Sequence, residues 1–211
     1  MSPPRAAKAP ADLRQLILDT SVALVVEGGI GALSLREVAR RAGVSHQAPY
    51  HHFPDRASVL AAIVQEGCVE LHARMTAARD ASRPAGVRLA ACARAYVEFA
   101  LERPGHFRVM SRPELVALER FPEAAREADA AFAVLEDVVA AGVREALFSA
   151  TDADAAASYV WSLAHGLASL LLDGPLARRV PTATAREAHV VRVMALAARL
   201  FQPGARPPRP R

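Results

Sequence analysis

A short stretch from 34 to 53 constrains the fold more than any other part of the chain. It opens with S-x-x-E, the spacing typical of a capping box at the start of a helix. Gly43 follows where the first helix would end, since glycine tolerates the left-handed backbone found there. Ser45 is a good N-cap for a second short helix, which we predict from about His46 to Phe53. Two short helices joined by a glycine-containing turn predict a helix-turn-helix.

The first of these two helices is amphipathic. Its apolar face carries Leu35, Val38 and Ala39, and its polar face carries Arg36, Arg40 and Arg41. In a helix-turn-helix the second helix enters the major groove of DNA while the first crosses the backbone. An ordinary helical hairpin on a protein surface uses the same turn signals, so that alternative remains open at this point.

Helical periodicity, broken by proline and glycine, continues through the rest of the chain. No stretch alternates polar and apolar residues at period two over the length of a strand. The sequence therefore predicts an all-α protein of about nine helices, with a three-helix N-terminal domain followed by a second helical domain. We predict helices, including two short pieces, at about 12–28, 35–42, 46–53, 56–81, 87–102, 106–110, 114–120, 122–148, 152–172 and 183–201.

The chain divides by composition into four parts. Residues 1–10 contain three prolines, and residues 202–211 are again rich in proline, so we predict a disordered arm and a disordered tail. Residues 11–58 hold the helix-turn-helix. Residues 59–201 form the second helical domain. A long helix starting near 56 is expected to connect the two domains.

Composition and net charge limit the classes of protein that this chain could belong to, but they do not identify one. Hydrophobic residues make up 52% and aromatic residues 5%, which predicts a mainly aliphatic core. A formal net charge of +4 permits nucleic-acid binding but does not argue for it. Cys68 and Cys92 lack CxxC spacing and are expected to be reduced core thiols in a cytoplasmic protein. Asp12 and Asp19 interrupt the only early apolar stretch, so we expect no signal peptide.

The segment 155–172 is uncharged and reaches the lower length limit for a membrane-spanning helix. It contains His165, Gly166 and several serines, and it lacks flanking basic clusters. We therefore expect a buried or interface helix and no membrane insertion.

The motif GVSHQAPYHHFPDRASVL, together with the amphipathic helix before it, resembles the N-terminal domain of the TetR family of transcriptional regulators. The turn, Tyr50, His52, Phe53 and the helix restart after Pro54 stand at the family spacing. The sequence departs from the family pattern at two positions. Pro49 stands where an apolar residue such as leucine is usual, and Arg56 stands where lysine is usual.

This resemblance implies a DNA-binding site on the second helix and its flanks. Gln47 could pair with adenine, and the Ala48 methyl could touch the methyl group of thymine. Tyr50, His52 and Arg56 are expected to contact phosphates, with the following helix N-terminus adding its dipole. The candidate DNA-binding residues are Arg36, Ser45, His46, Gln47, Ala48, Tyr50, His51, His52 and Arg56.

Pro49 makes this reading helix unusual. It removes one backbone donor and biases the preceding residue away from the α region. We therefore expect the recognition helix to be tilted or irregular.

The second domain carries a further resemblance. Trp161, His165 and Gly166 lie in YVWSLAHGLASLLLDG, which is similar to the C-terminal domain of a TetR subgroup named for a Trp-His-Gly signature. The family implies a homodimer formed through the last two helices and a small apolar effector held inside this domain. Aromatic and methionine residues at helical spacing usually pack in the core, so plain core packing is the favoured alternative for each candidate lining residue. These candidates are Tyr96, Phe99, Phe107, Met110, Phe132, Trp161 and His165.

The resemblance thus implies a ligand-responsive transcriptional regulator, usually a repressor, that binds a palindromic operator as a dimer and is released by its effector. No cofactor is expected. One alternative is a constitutive or architectural DNA-binding protein without an effector. A remote alternative is a small all-α enzyme, but the sequence carries no H-E-x-x-H motif, nucleophile elbow or paired carboxylates. A metal site is not expected either, because His46, His51 and His52 lack further ligands at the right spacing.

Overall fold

A computed structural model describes residues 10–147 and 150–200, which are helical with no strand among them. The all-α prediction is confirmed for this part of the chain. The α-helices are α1 (Pro10–Gly28), α2 (Leu35–Ala42), α3 (Arg56–Ala78), α4 (Ala85–Glu102), α5 (Pro104–Met110), α6 (Pro122–Arg144), α7 (Ala153–Leu172), α8 (Leu176–Arg179) and α9 (Ala183–Leu200). Short 3-10 helices lie at Ile30–Ala32, Pro49–His51, Pro113–Leu115, Leu118–Arg120 and Ala150–Asp152.

Most predicted helices are present with small shifts at their ends. The predicted helix at 46–53 is absent as an α-helix, and the piece at 114–120 consists of two 3-10 helices. Helix α8 was not predicted, and Pro10, placed in the arm, begins α1. Residues 1–9, the tail at 202–211, Phe148 and Phe201 lie outside the described residues.

The chain folds as two compact units whose limits differ from the predicted domain boundary near 58. The first unit runs up to Gly67 and also includes Gly105–Ala125, whereas the second contains Cys68–Pro104 and the chain from Arg126 onward. The first boundary falls inside α3. Helical periodicity runs unchanged through that helix, so the sequence carries no local sign of where its packing partners change.

The first unit is built around α1, which packs against α2. Leu35, Val38 and Ala39 of α2 are buried, as its apolar stripe predicted. The returning segment 105–125 approaches α1 closely, since a Cβ on Gly105 would lie 2.7 Å from a methyl group of Val22. Glycine is therefore the residue that lets α5 reach this position.

The second unit has α4 at its centre, packed against α7 and α9. Leu89, Val97 and Phe99 of α4 are almost completely buried. The predicted core thiols are present as free, buried cysteines, and burial raises the pKa of Cys68 to about 12 and that of Cys92 to about 11. Such thiols are poor nucleophiles at neutral pH.

Helix α7 is, within the described residues, the one helix long and apolar enough to cross a membrane by length and composition. About a third of its most apolar window, 33%, is buried inside the protein. A core helix of a soluble protein passes the same test. Its packing against α4 shows that one face is part of the core of the second unit.

Candidate nucleic-acid interface

Helix α2 begins and ends where the sequence predicted. The hydroxyl oxygen of Ser34 accepts a hydrogen bond from the amide of Glu37 at 3.2 Å. Gly43 has φ of 67° and ψ of 34°, and its amide donates to the carbonyls of Ala39 and Arg40. The cap and the left-handed glycine together orient the chain as it leaves α2.

The second helix of the motif is not the α-helix that was predicted. Its backbone amides bond three residues back, from Ala48 to Ser45 at 3.0 Å and from Tyr50 to Gln47 at 3.1 Å, and Pro49–His51 is a 3-10 helix. Pro49 has no backbone N–H to donate, and its ring is buried. The backbone around this inward-facing ring forms the tighter hydrogen-bond pattern of a 3-10 helix. The expected irregularity is confirmed.

Two details of this segment correct the sequence interpretation. Ser45 does not cap the helix, because the residue before the 3-10 helix is Ala48 and no side chain caps it. Ala48 was expected to avoid the α region before proline, yet it has φ of −56° and ψ of −45°. Packing of the buried proline outweighs the local preference of the residue before it.

The segment presents a polar surface to solvent that contains no Asp, Glu, Lys or Arg. Ser45, His46, Gln47 and His51 are exposed, and Tyr50 is 49% exposed. Ala48 and His52 are half-buried. The five exposed side chains, at positions 45, 46, 47, 50 and 51, are therefore more available to a partner than these two.

Positive charge around α2 is largely neutralised by neighbouring carboxylates. Arg40 pairs with Glu37 at 2.6 Å, and Arg41 pairs with Glu27 at 2.6 Å. The hydrogen bond from Arg40, aided by Arg41, lowers the pKa of Glu37 to about 2. Arg36 is exposed and forms no ion pair or hydrogen bond with another described residue. It is therefore the α2 cation best placed to meet an external anion.

The start of α3 is fixed by a reciprocal cap. The carboxylate of Asp55 accepts from the amide of Ser58 at 2.7 Å, and the Ser58 hydroxyl donates to the carbonyl of Asp55 at 2.6 Å. The bond from the Ser58 amide lowers the pKa of Asp55. The predicted N-cap at this position is confirmed.

Arg56, predicted as a phosphate contact, is engaged within the first unit. Its Nε donates to the carbonyl of Leu33 at 3.0 Å, and its Nη2 donates to the carbonyl of Ile30 at 2.7 Å. Both acceptors lie in the connection between α1 and α2. Part of its hydrogen-bonding capacity is thus used inside the protein.

The sequence did not single out Arg14, although the structure places it beside residues 45–53, the recognition segment. Its guanidinium carbon lies 5.1 Å from the ring centroid of Phe53. Both residues line an open groove of about 280 Å³ in the first unit, together with His52 and Arg120. Nothing near Arg14 in the sequence signals this contact, because its aromatic partner belongs to another element.

Five of the seven predicted effector-lining residues lie in the second unit. The hydroxyl of Tyr96 and Nδ1 of His165 are 3.0 Å apart and share a hydrogen bond. Burial raises the pKa of Tyr96 to about 12 and lowers the pKa of His165. Phe132 and Trp161 meet edge to face at 5.6 Å, and Phe99 is buried. The ring of Trp161 also meets that of His165 at 6.4 Å, so Trp161 lies beside the polar pair, although Trp161 and Phe132 are 47% and 37% exposed.

The other two predicted lining residues belong to the first unit. Phe107 and Met110 lie on α5, where Phe107 is buried and Met110 is half-buried. Helical spacing could not distinguish these positions from those in the second unit. Within the described ranges, no cluster of three or more His, Cys, Asp or Glu side chains is arranged to hold a metal ion.

Known protein families account for both parts of the chain. Residues 17–63 match the family model for bacterial regulatory proteins of the tetR family, and residues 89–207 match the tetracyclin repressor-like C-terminal domain. The second match alone covers more than half of the sequence. The chain belongs to the TetR family of transcriptional regulators, which bind DNA. The resemblance found in the motif is thereby confirmed, while membership of the Trp-His-Gly subgroup stays a prediction.

Solved structures share this fold over almost the whole chain. A protein of unknown function from Rhodococcus sp. RHA1 is 27% identical with a TM-score of 0.72, and the match covers 95% of this chain and 97% of that one. A TetR-family regulatory protein from Rhodococcus RHA1 is 26% identical with a TM-score of 0.72, over 90% and 96%. The TetR-family regulator PfmR from Thermus thermophilus is 23% identical with a TM-score of 0.70, over 87% and 97%, and shows the fold alone. No curated protein matches the sequence.

Proposed function

We propose that this protein is a cytoplasmic, effector-responsive repressor that binds a palindromic operator as a homodimer and is released by a small apolar molecule. The observation that carries the DNA-binding part is the exposed polar segment at 45–51, which follows a capped α2 bearing the exposed Arg36. Polar side chains, arginine among them, read base edges, and arginine also holds phosphate.

The proposed contacts use the exposed side chains of the segment together with the half-buried Ala48 and His52. Gln47 reads adenine, Ala48 packs on a thymine methyl, and His46 and His51 flank them in the groove. Arg36, Ser45, Tyr50 and His52 meet the sugar-phosphate backbone. Arg56 is left out of this set because two of its nitrogens already bond to carbonyls of the first unit.

The proposed dimer uses the outward faces of α7 and α9. On α7 this face combines small uncharged residues, among them Ser158, Ser162 and Gly166, with the exposed ring of Tyr159. A Cβ on Gly166 would meet nothing within 4 Å, so the surface there is open. Leu170 on α7 and Leu196 on α9 are exposed apolar groups that a second copy would bury. Small residues let two helices approach closely, which supports pairing with the same face of another subunit.

The proposed effector site is the aromatic group around Tyr96 and His165 in the second unit. The one hydrogen bond between them offers a polar anchor, and Phe132 and Trp161 offer apolar rings. An apolar effector fits this chemistry because burial raises the pKa of Tyr96 and lowers the pKa of His165, and both shifts favour the uncharged forms. Reciprocal coupling requires that the effector weaken operator binding as much as the operator weakens effector binding.

The test of DNA recognition is selection of bound sequences from random duplex DNA at two salt concentrations. The expected product is a two-fold symmetric site with half-sites about one helical turn apart. Gln47→Ala should relax the preference at one position per half-site, while Gln15→Ala, the same change on α1, should leave the selected site unchanged. Recovery of no common sequence would contradict the proposal.

The test of effector response is a thermal-shift screen with small apolar compounds, followed by titration of the hits into the operator complex. The proposed repressor releases its operator when a stabilising compound binds, and Tyr96→Phe weakens that compound's binding. A protein that binds its operator and ignores every compound that stabilises it would be a constitutive DNA-binding protein instead.

A further inference from the structure

Arg56 uses one edge of its guanidinium to hold the chain that precedes α2. Nε and Nη2 lie on the same edge, and they donate at 3.0 Å to the carbonyl of Leu33 and at 2.7 Å to the carbonyl of Ile30. These acceptors lie 23 and 26 residues earlier in the sequence. The contact therefore joins the first residue of α3 to the connection that ends just before the cap of α2.

The place of the contact explains what it can do. Leu33 is buried at 3% exposure, and a carbonyl of a buried residue requires a donor. Ser34, which caps α2, follows Leu33 directly. Asp55, which caps α3, precedes Arg56 directly. The same two bonds thus fix the starting points of α2 and α3 relative to each other, and the recognition segment lies in the chain between those two points.

We propose that Arg56 is a positioning residue for operator binding: it sets the geometry of α2 and the recognition segment through Leu33 and Ile30, and it is not a primary phosphate contact. This inference rests on the proposed DNA-binding function. Two parallel donors in a rigid plane suit two separate carbonyls, whereas the single ammonium of lysine does not reproduce that fork. The geometry thereby gives a reason for arginine at this position.

The experiment compares Arg56→Ala and Arg56→Lys with Arg36→Ala in the full-length protein, using the selected operator at several salt concentrations. A lost phosphate contact lowers the slope of log affinity against log salt by about one. Arg36→Ala is expected to produce that change. Arg56→Ala and Arg56→Lys are both expected to weaken binding about tenfold, the size of one charged hydrogen bond, with a slope close to wild type.

A second measurement follows the free protein and does not depend on DNA. Amide hydrogen exchange should become faster in α2, including the Val38 amide that donates to the Ser34 carbonyl at 2.9 Å, in both Arg56 variants and not in Arg36→Ala. Arg56→Lys retains the charge, so it separates positioning from charge even if Arg56→Ala unfolds. Circular dichroism confirms that each variant compared is folded.

The opposite pattern would overturn the proposal. In that case Arg56→Lys binds like wild type, Arg56→Ala lowers the salt slope by about one, and exchange in α2 is unchanged. Failure of the DNA-binding function itself gives a different result, because wild type would then show no sequence preference while the exchange comparison remains informative.

Discussion

Helices α2 and α7 bury similar apolar faces but expose opposite chemistry. The outer side of α2 carries Arg36, Arg40 and Glu37, and its charges are mostly paired. The outer side of α7 carries uncharged residues, small ones such as Ser162 and large ones such as Tyr159 and Leu170. The inward faces only hold each unit together, so the outward faces are where the two helices differ in the partner they suit. A charged face beside a polar segment suits a polyanion, and an uncharged, partly apolar face suits another helix.

The largest expected effect comes from placing charge on the α7 face. Gly166→Arg meets no steric conflict within a subunit, since a Cβ there has open space, but it would bury unpaired charge between two copies. We expect a monomer by analytical ultracentrifugation and operator affinity lowered more than about 100-fold, because one headpiece then binds without the other. Ala140→Arg, an exposed position on α6, is the control and should remain dimeric. A dimeric Gly166→Arg protein would show that this face is not the interface.

The next largest effect is the difference in stability lost when a buried and an exposed phenylalanine ring of the second unit are removed. Phe99→Ala should lower the free energy of unfolding by about 3–5 kcal/mol, because the ring is buried at 1% exposure. Phe132→Ala makes the same change at 37% exposure and should cost about 0.5–1.5 kcal/mol, mostly its contact with Trp161. Urea unfolding followed by circular dichroism measures both. Equal losses would mean that Phe132 is buried in solution, as a partner copy or an effector would make it.

A smaller effect tests the cap that begins α2. Ser34→Ala removes the acceptor of the Glu37 amide and should lower the free energy of unfolding by about 1 kcal/mol. Ser158→Ala, an exposed serine inside α7, should be neutral or slightly stabilising because alanine favours helix interiors. The two variants are compared by chemical unfolding of the whole protein. Destabilisation by Ser158→Ala at dilutions where the dimer dissociates would place that side chain in the fold of the subunit instead.

The smallest effect concerns the paired charges of α2. The pKa of Glu37 falls from its ordinary value of 4.5 to about 2 on folding, chiefly through its hydrogen bond from Arg40. Its contribution to stability is therefore present above pH 4.5 and is lost as pH falls toward 2. The stability difference between wild type and Glu37→Gln should shrink over that window and stay constant above it. Salt should reduce the difference at neutral pH, because these side chains are exposed.

Local signals in the sequence were sufficient to predict where several helices begin or end. Ser34, Gly43 and Asp55 each act through bonds to backbone groups within a few residues, so their chemistry can be read from the sequence alone. The amphipathic pattern of α2 likewise predicted which of its residues are buried, because helical periodicity places them on one face whatever the packing partner is. Those features, with the family motif, carried the prediction of a helical DNA-binding protein.

Only the tertiary structure decided how these elements are used. The buried ring of Pro49 turned a predicted α-helix into a 3-10 helix, and Gly105 allowed the segment 105–125 to join the first unit. Arg56 donates to the carbonyls of Leu33 and Ile30, more than twenty residues earlier in the sequence, and no local pattern predicts these bonds. Local hydrogen bonds depend on spacing along the chain and can therefore be predicted from the sequence. Packing and long-range hydrogen bonds depend on which surfaces meet once the helices have formed, so they cannot be predicted in that way.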